Sequence, residues 1–394
     1  MNRRGIISAG LATLTVGCKP ASSSRGPADK GLTRENRWAR TFSVREHAGF
    51  KVVEFTAQVV AWGGAAQGGV QRRRVVLAPK AGPAPHLTGD LAGAAVVRTP
   101  VERIAVNYAP QEAMLVQLGV ADRLVAVGGI NSYDDDIRAR ARRGELLQVG
   151  YGWHSAPALD VLIASRPDVF FMAQIDPSHS SHLERIQAMG VPVVPFFLSN
   201  EPHYMGQVEY IRLVGLLTGR EAEAEAHIRQ VAERVEGLKT AAAARPRRSA
   251  LHSWWMGGDA FMAIVRNGEA MLMRDANLEV VMGQPDDARH DSSIRLGTER
   301  LLADGRDAEF WIARDPHGRP FPDRQVLQQF KAWREDRVFA VDGRIKQRAD
   351  AYDIWHTGPI RPDLLLADYV KMANPDLVPG PFTFLSLDRQ TRPA

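Results

Sequence analysis

The stretch RIAVNYAPQEAMLVQLGVADRLVAV, Arg103 to Val127, decides the fold. It opens on a short apolar run over 103–107, continues over 110–118 with helical spacing closed by Gly119, and returns to an apolar run over 124–127. A strand buried on both faces reads as an unbroken apolar run, and parallel strands need a helical crossover between them. The stretch therefore predicts one strand-helix-strand unit of a parallel sheet.

The same phrase repeats outward. Helix 158–165 leads to strand 168–172, and helix 181–189, ending at Gly190, leads to strand 191–196. A helix over 205–218 then carries Val208, Ile211, Val214 and Leu217 on one face and stops at Gly219. A second, over 221–238, aligns Ile228, Val231, Val235 and Leu238. Strands at 251–255, 261–265, 308–312 and 337–341 alternate with helices at 271–281, 298–302, 323–333 and 362–372. The expected fold class is α/β. Two lobes, 101–202 and 220–394, each hold a mostly parallel sheet flanked by helices, and a single long hinge helix over 203–219 joins them. Before them, apolar bursts at 52–55, 75–77 and 94–97, separated by Gly and Pro, predict a small β extension over 50–100.

The N-terminus reads as a secretory signal. Asn2-Arg3-Arg4 is a basic start, Gly5 to Val16 is apolar or small, and Gly17-Cys18 closes the run over 1–18. Cleavage before Cys18 suits a lipidated cysteine, although Thr15 stands where a lipobox usually has Leu, and an ordinary cleaved signal is the alternative. Residues 19–49 read as a tether to the domain, because 21–34 is rich in Ser, Gly and charge. The chain is 45% hydrophobic and 24% charged, the composition of a globular protein. One cysteine excludes an internal disulfide and a cysteine-based metal cluster. A net charge of +5, or +3 without Arg3 and Arg4, is too small to argue for nucleic acid.

Several phrases together resemble the helical-hinge class of ABC-transporter substrate-binding lipoproteins, which deliver ferric siderophores, haem or cobalamin to inner-membrane permeases. They are Val101-Glu102-Arg103-Ile104-Ala105-Val106 running into 111–119, the run 158–169, Leu213 to Glu221, and 297–302 followed by 307–312. The ending Arg361-Pro362-Asp363-Leu364-Leu365-Leu366-Ala367-Asp368 is similar to a branch of iron or siderophore binders that also carries an N-terminal β extension. The resemblance covers residues from about Phe50 onward. It implies a monomer in the periplasm, held to the membrane by its lipid, without enzymatic activity or a resident cofactor. Its partners are an ABC permease with its ATPase and a small iron chelate, an Fe(III)-siderophore, with haem or cobalamin as the alternative. It further implies that one acid on each lobe docks to the permease; by position these are Asp160, where the family usually has Glu, and Glu299. Without the resemblance, both read as ordinary exposed acids near helix N-termini.

A bulky, often anionic and aromatic chelate calls for aromatic planes and Arg donors in the loops after strands. The candidates are Tyr108, Tyr133, Trp153, His154, Trp254, Trp355, His356 and Arg361. Arg361 also reads as a salt-bridge partner of Asp363 or Asp353, and a strand tryptophan also reads as core. The histidines form no short ligand motif, so a free-metal site is a minor alternative. Nothing resembles a phosphate loop or a nucleophile elbow, and a hydrolase built on scattered residues is a weaker alternative still.

Overall fold

The computed structural model describes residues 33–34, 36–47, 49–60, 67–152, 155–265, 267–282 and 293–388. Cys18 with the whole of 1–18, Trp153 and His154 lie outside these residues, as do Gly63-Gly64 and Asp286-Asp287. The apolar bursts of the first hundred residues become a five-stranded sheet. Its strands are β1 (Thr33–Arg34), β2 (Phe42–His47), β3 (Phe50–Val60), β4 (Gln67–Pro79) and β5 (Ala95–Thr99), in that spatial order. β1 to β4 pair antiparallel and β5 runs parallel to β4. The sheet starts inside the span read as a tether, because Phe42 and Val44 alternate with polar residues and pair with Phe55 and Val53. One face, with Phe42, Val44, Val53, Phe55, Val75, Leu77 and Val97, joins the main core.

The first lobe alternates without exception: β6 (Ile104–Val106), α1 (Ala109–Gln117), β7 (Leu124–Val127), α2 (Asp135–Arg142), β8 (Leu147–Gln148), α3 (Leu159–Ala164), β9 (Val169–Ala173), α4 (His179–Ala188) and β10 (Val193–Phe196). Its sheet is all parallel in the order β10-β9-β6-β7-β8, with Ile104 opposite Val169 and Val193 opposite Phe170. The strand order reverses between β6 and β9. In doubly wound sheets ligands bind at such a switch point, outside the strand carboxyl ends.

Two helices, α5 (Tyr204–Thr218) and α6 (Glu221–Ala243), connect the lobes. Gly219 takes φ 73° to end α5, and a Cβ on Gly215 would come within 2.9 Å of Ala224 Cβ and Arg220 O, so the two helices meet where Gly215 lets them. The expected joining helix is thus followed at once by a longer one, about 35 Å at 1.5 Å per residue.

The second lobe runs β11 (Arg248–Gly257), β12 (Ala260–Ile264), α7 (Gly268–Asp275), β13 (Leu278–Val280), β14 (Ser293–Gly297), α8 (Thr298–Gly305), β15 (Phe310–Arg314), α9 (Arg324–Leu327), α10 (Lys331–Arg334) and β16 (Val338–Ala340). A small hairpin, β17 (Ile345–Lys346) and β18 (Ala351–Tyr352), precedes α11 (Asp353–His356), α12 (Pro362–Ala373) and β19 (Ser386–Leu387). Around β11 the sheet is parallel, to β13, β15 and through β15 to β16. Its margins are antiparallel, β11-β12-β14 on one side and β16-β19 on the other. The sheet is therefore mixed where a mostly parallel one was expected. Gly257 and Gly258 take φ 110° and 56° and turn β11 back on itself as a hairpin.

Buried carboxylates fasten both flanks of the chain. Glu209 of α5 accepts the N–H groups of Arg37, Trp38 and Ala39 at 2.9, 2.8 and 2.7 Å, and Glu201 accepts those of Arg40 and Thr41 at 2.8 and 3.0 Å. Asp368 of α12 accepts those of Thr383, Phe384 and Leu385 at 2.8, 2.6 and 2.9 Å, which fixes the approach to β19.

Candidate functional site

At the switch point of the first lobe, β6 is followed by Asn107, whose Oδ1 accepts the N–H of Ala173 at the end of β9. Two glycines allow this crowding. A Cβ on Gly128 would stand 2.9 Å from the Asn107 carbonyl, and one on Gly152 would stand 3.0 Å from its oxygen. The buried amides here are incompletely engaged: Asn107 Nδ2, Gln111 Nε2 and both polar atoms of Gln174 have no hydrogen-bond partner. Above this floor, Tyr108 caps the start of α1, bonds Ser199 and stands 6.2 Å from the Tyr151 ring. Burial pushes the hydroxyl pKa of both tyrosines up.

One turn into α1, Glu112 points to the same region. It is 4% exposed and accepts Ser132 Oγ at 2.6 Å. Burial, with the nearby Asp134 charge adding, pushes its pKa up to about 7, against the Ser132 hydrogen bond.

The second lobe has its own switch point, where β13 lies on one side of β11 and β15 on the other. Asp315 follows β15 directly and accepts the His317 N–H at 3.0 Å. His317 stacks its ring 4.3 Å from Tyr352 and 4.6 Å from Trp355, and those two stand 5.2 Å apart. Glu269, in the first turn of α7, lies 3.6 Å from His252 Nδ1 on β11. Burial and the Asp315 charge push the Glu269 pKa up to about 7, while burial pulls His252 down to about 4.

The lobes meet between these groups. His356 of α11 sets its Nε2 3.9 Å from Glu112 Oε2 and its ring 6.0 Å from Tyr133. Lys346 of β17 lies 4.4 Å from the Tyr133 ring centre and donates to Tyr133 O at 2.6 Å and Asp135 Oδ1 at 2.7 Å. Arg344 pairs with buried Asp353 at 3.1 Å. Burial holds the His356 pKa near 4, so at neutral pH a neutral imidazole faces a carboxyl whose pKa burial has raised to about 7. Two groups of aromatic and titratable side chains thus stand where the lobes meet: Tyr108, Tyr151, Glu112, Tyr133 and His356, and Tyr352, Trp355, His317 and Asp315, with α11 carrying both His356 and Trp355. Among the described residues no three His, Cys, Asp or Glu stand together as a metal-binding group.

Of the residues singled out by sequence, Tyr108, Tyr133, Trp355 and His356 fall in this seam. Trp254 is 8% exposed and packs with Met262, Ile264 and Ala270, because on β11 it points into a small apolar cluster. Arg361 is not a free clamp: Nε and Nη2 donate to Asp363 at 2.8 and 2.9 Å, the salt bridge that was its alternative reading. Asp160 and Glu299 are exposed in the first turns of α3 and α8. Glu112, Glu269, Asp315, His252 and Lys346 were not singled out; Glu112 sits in the apolar run of α1 with nothing local to mark it.

The model of a family described as periplasmic binding protein matches residues 104–345. No curated protein matches the chain. Among solved structures, it resembles a TroA-like periplasmic binding protein from Xylanimonas cellulosilytica, with TM-score 0.56 and 16% identity, over 82% of this chain and 99% of that one. It resembles the siderophore-binding protein BauB, solved with ferric iron and two molecules of acinetobactin, with TM-score 0.53 and 18% identity over 70% and 94%. A periplasmic haem-binding protein from Pseudomonas aeruginosa is similar with TM-score 0.52 and 19% identity over 73% and 97%. At these identities the likeness is one of fold.

Proposed function

We infer the function from one premise: the chain belongs to the periplasmic binding protein family, whose model spans most of both lobes. In that family a binding protein, not an enzyme, captures a solute outside the inner membrane and hands it to an ABC permease. Iron-related ligands recur among the structural neighbours, as a ferric siderophore in one and haem in another. We propose that this chain captures a ferric siderophore at the seam between its lobes. The observation that carries the reading is that aromatic and titratable side chains gather at both switch points, Tyr108, Tyr151, Glu112 and His356 at one and Trp355, His317 and Asp315 at the other, with α11 carrying both His356 and Trp355. Aromatic faces suit the organic part of a chelate, and the incompletely engaged amides at the floor suit its oxygens.

The two connecting helices, packed on each other at Gly215, favour a small tightening on binding over a wide clamshell motion. In the same reading, Cys18 carries the lipid anchor in the periplasm, and Trp153 and His154 complete the ligand loop.

The full-length chain, kept in mild detergent, is titrated with ferric hydroxamate, ferric catecholate, haemin and cobalamin while tryptophan fluorescence is followed. Saturable quenching by a ferric chelate at micromolar concentration or below is expected. Saturation by haemin or cobalamin alone would replace the siderophore, and silence across the panel would remove the iron-ligand reading. Docking through Asp160 and Glu299 is tested separately. Replacing both by Lys should leave that titration unchanged and abolish uptake in cells; normal uptake would sink the docking roles.

A further inference from the structure

We propose that the second-lobe wall of this seam reads a positively charged group on its ligand. Glu269 and Asp315 would receive that group beside the rings of Tyr352 and Trp355, so the chelate taken is cationic or neutral and not polyanionic. The inference rests on the reading above and deepens it.

Four observations carry it. First, the Glu269 side chain is 30% exposed, so its carboxyl can be reached from solvent. Second, the group behind it is unfinished. His252 is 2% exposed and its Nδ1, 3.6 Å from Glu269 Oε2, has no hydrogen-bond partner. His252 is held neutral by burial, so it does not balance the Glu269 charge. Third, Asp315 adds a second carboxyl close enough to raise the pKa of Glu269, and its own pKa is also raised, chiefly by burial. An incoming cation favours the ionised form of each carboxyl, against the burial that opposes it. Fourth, Tyr352 and Trp355 stand 5.2 Å apart, and Tyr352 lies near enough to Asp315 to feel its charge. Aromatic faces beside carboxylates are the surroundings that attract an ammonium group.

Four cations of the region are already engaged. Lys346 bonds Asp135 and Tyr133 O, Arg344 bonds Asp353, Arg361 bonds Asp363, and Arg314 bonds Asp388 and Asp342 at 3.0 and 3.2 Å. Among the described residues, neither Glu269 nor Asp315 has an ion pair with Lys or Arg. A chelate with several negative charges would meet these two acids, and like charges brought together oppose binding.

The test compares three probes on the full-length chain: a ferric trihydroxamate with a pendant primary ammonium, the same complex with that amine acetylated, and a ferric tris-catecholate. The ammonium form should bind about tenfold or more tightly than the acetylated one, and the tris-catecholate weakest of all. Glu269→Gln should bring the first two within about twofold of each other. Asp315→Asn serves as the second variant, with the same expected direction. Equal affinities for the ammonium and acetylated forms, tightest binding of the catecholate, or an equal loss for both hydroxamates in the variants would overturn the charge reading and leave the siderophore reading standing. If no probe binds, the siderophore reading itself fails and the charge reading falls with it.

Discussion

Replacing Glu209 by Ala is expected to destabilise the protein by about 3–5 kcal/mol, the cost of removing one partner from a buried, hydrogen-bonded charge. The side chain is fully buried and gathers three successive backbone N–H groups, from Arg37, Trp38 and Ala39. It also takes Arg212 Nη1 at 3.2 Å. Arg212 keeps Glu225 at 2.6 Å, so it is not orphaned by the change. The N–H groups have no comparable substitute, since Ala39 is buried and the chain there is pressed against α5. If the chain unfolds as one unit, Tm should fall by about 4–7 °C, given about 2 cal/mol/K of unfolding entropy per residue. Glu209→Gln should fall between wild type and Glu209→Ala, because its amide oxygen still accepts while its NH2 faces donors. A second readout separates this strap from general loosening: limited proteolysis should cut first between Asn36 and His47. An unchanged Tm, or first cuts elsewhere, would show that the strap does not hold the extension sheet to the helices between the lobes.

The alternation of the first lobe is legible because its parallel strands are buried on both faces. Phe170, Phe171 and Met172 form an unbroken run with no polar interruption, and Gly119 and Gly190 take φ 67° and 83° where the helices before them stop. Periodicity misleads where a backbone break hides inside an apolar pattern. The helix expected over 271–281 ends at Asp275, because Asn277 turns to φ 59° and the chain re-enters the sheet as β13. The one expected over 323–333 is two short turns, because Phe330 is extended at ψ 131° and buries its ring against Trp311. The site divides in the same way. Tyr133, Trp355 and His356 announce themselves as aromatic or polar residues in loops. Glu112 takes its partners from Ser132 and His356, far along the chain, and only tertiary structure brings them to it. Arg361 shows the reverse, a loop arginine whose closest partner, Asp363, is two residues away.

Glu112→Gln should stabilise the protein above neutral pH and leave it nearly unchanged near pH 4.5. Burial raises the Glu112 pKa from an ordinary carboxylate value to about 7, so the native state holds that proton more tightly than the unfolded chain does. The stability tied to this proton is complete below the unfolded pKa and is lost as pH rises to about 7; at 1.36 kcal/mol per unit, the loss is about 3 kcal/mol. His356 works in the opposite sense. Its pKa is lowered by burial to about 4, so its contribution is complete above the unfolded pKa and is lost as pH falls toward 4. Between these limits the two slopes oppose each other in the wild type, and removing the acid leaves the histidine slope uncovered. The Gln side chain can still accept Ser132 Oγ, so the packing and the hydrogen bond survive the change. Denaturant unfolding of both proteins across pH 4.5–8 isolates the acid, since every other titrating group cancels in the difference. That difference should grow from near zero to about 3 kcal/mol in favour of the variant, most of it below pH 7. A flat difference, or a less stable variant at pH 8, would mean that burial does not hold Glu112 protonated. Near pH 6 the buried imidazole and the buried acid are both mostly neutral in the native state, yet the unfolded chain has already released the acid's proton, so about 2 of those 3 kcal/mol are gone there.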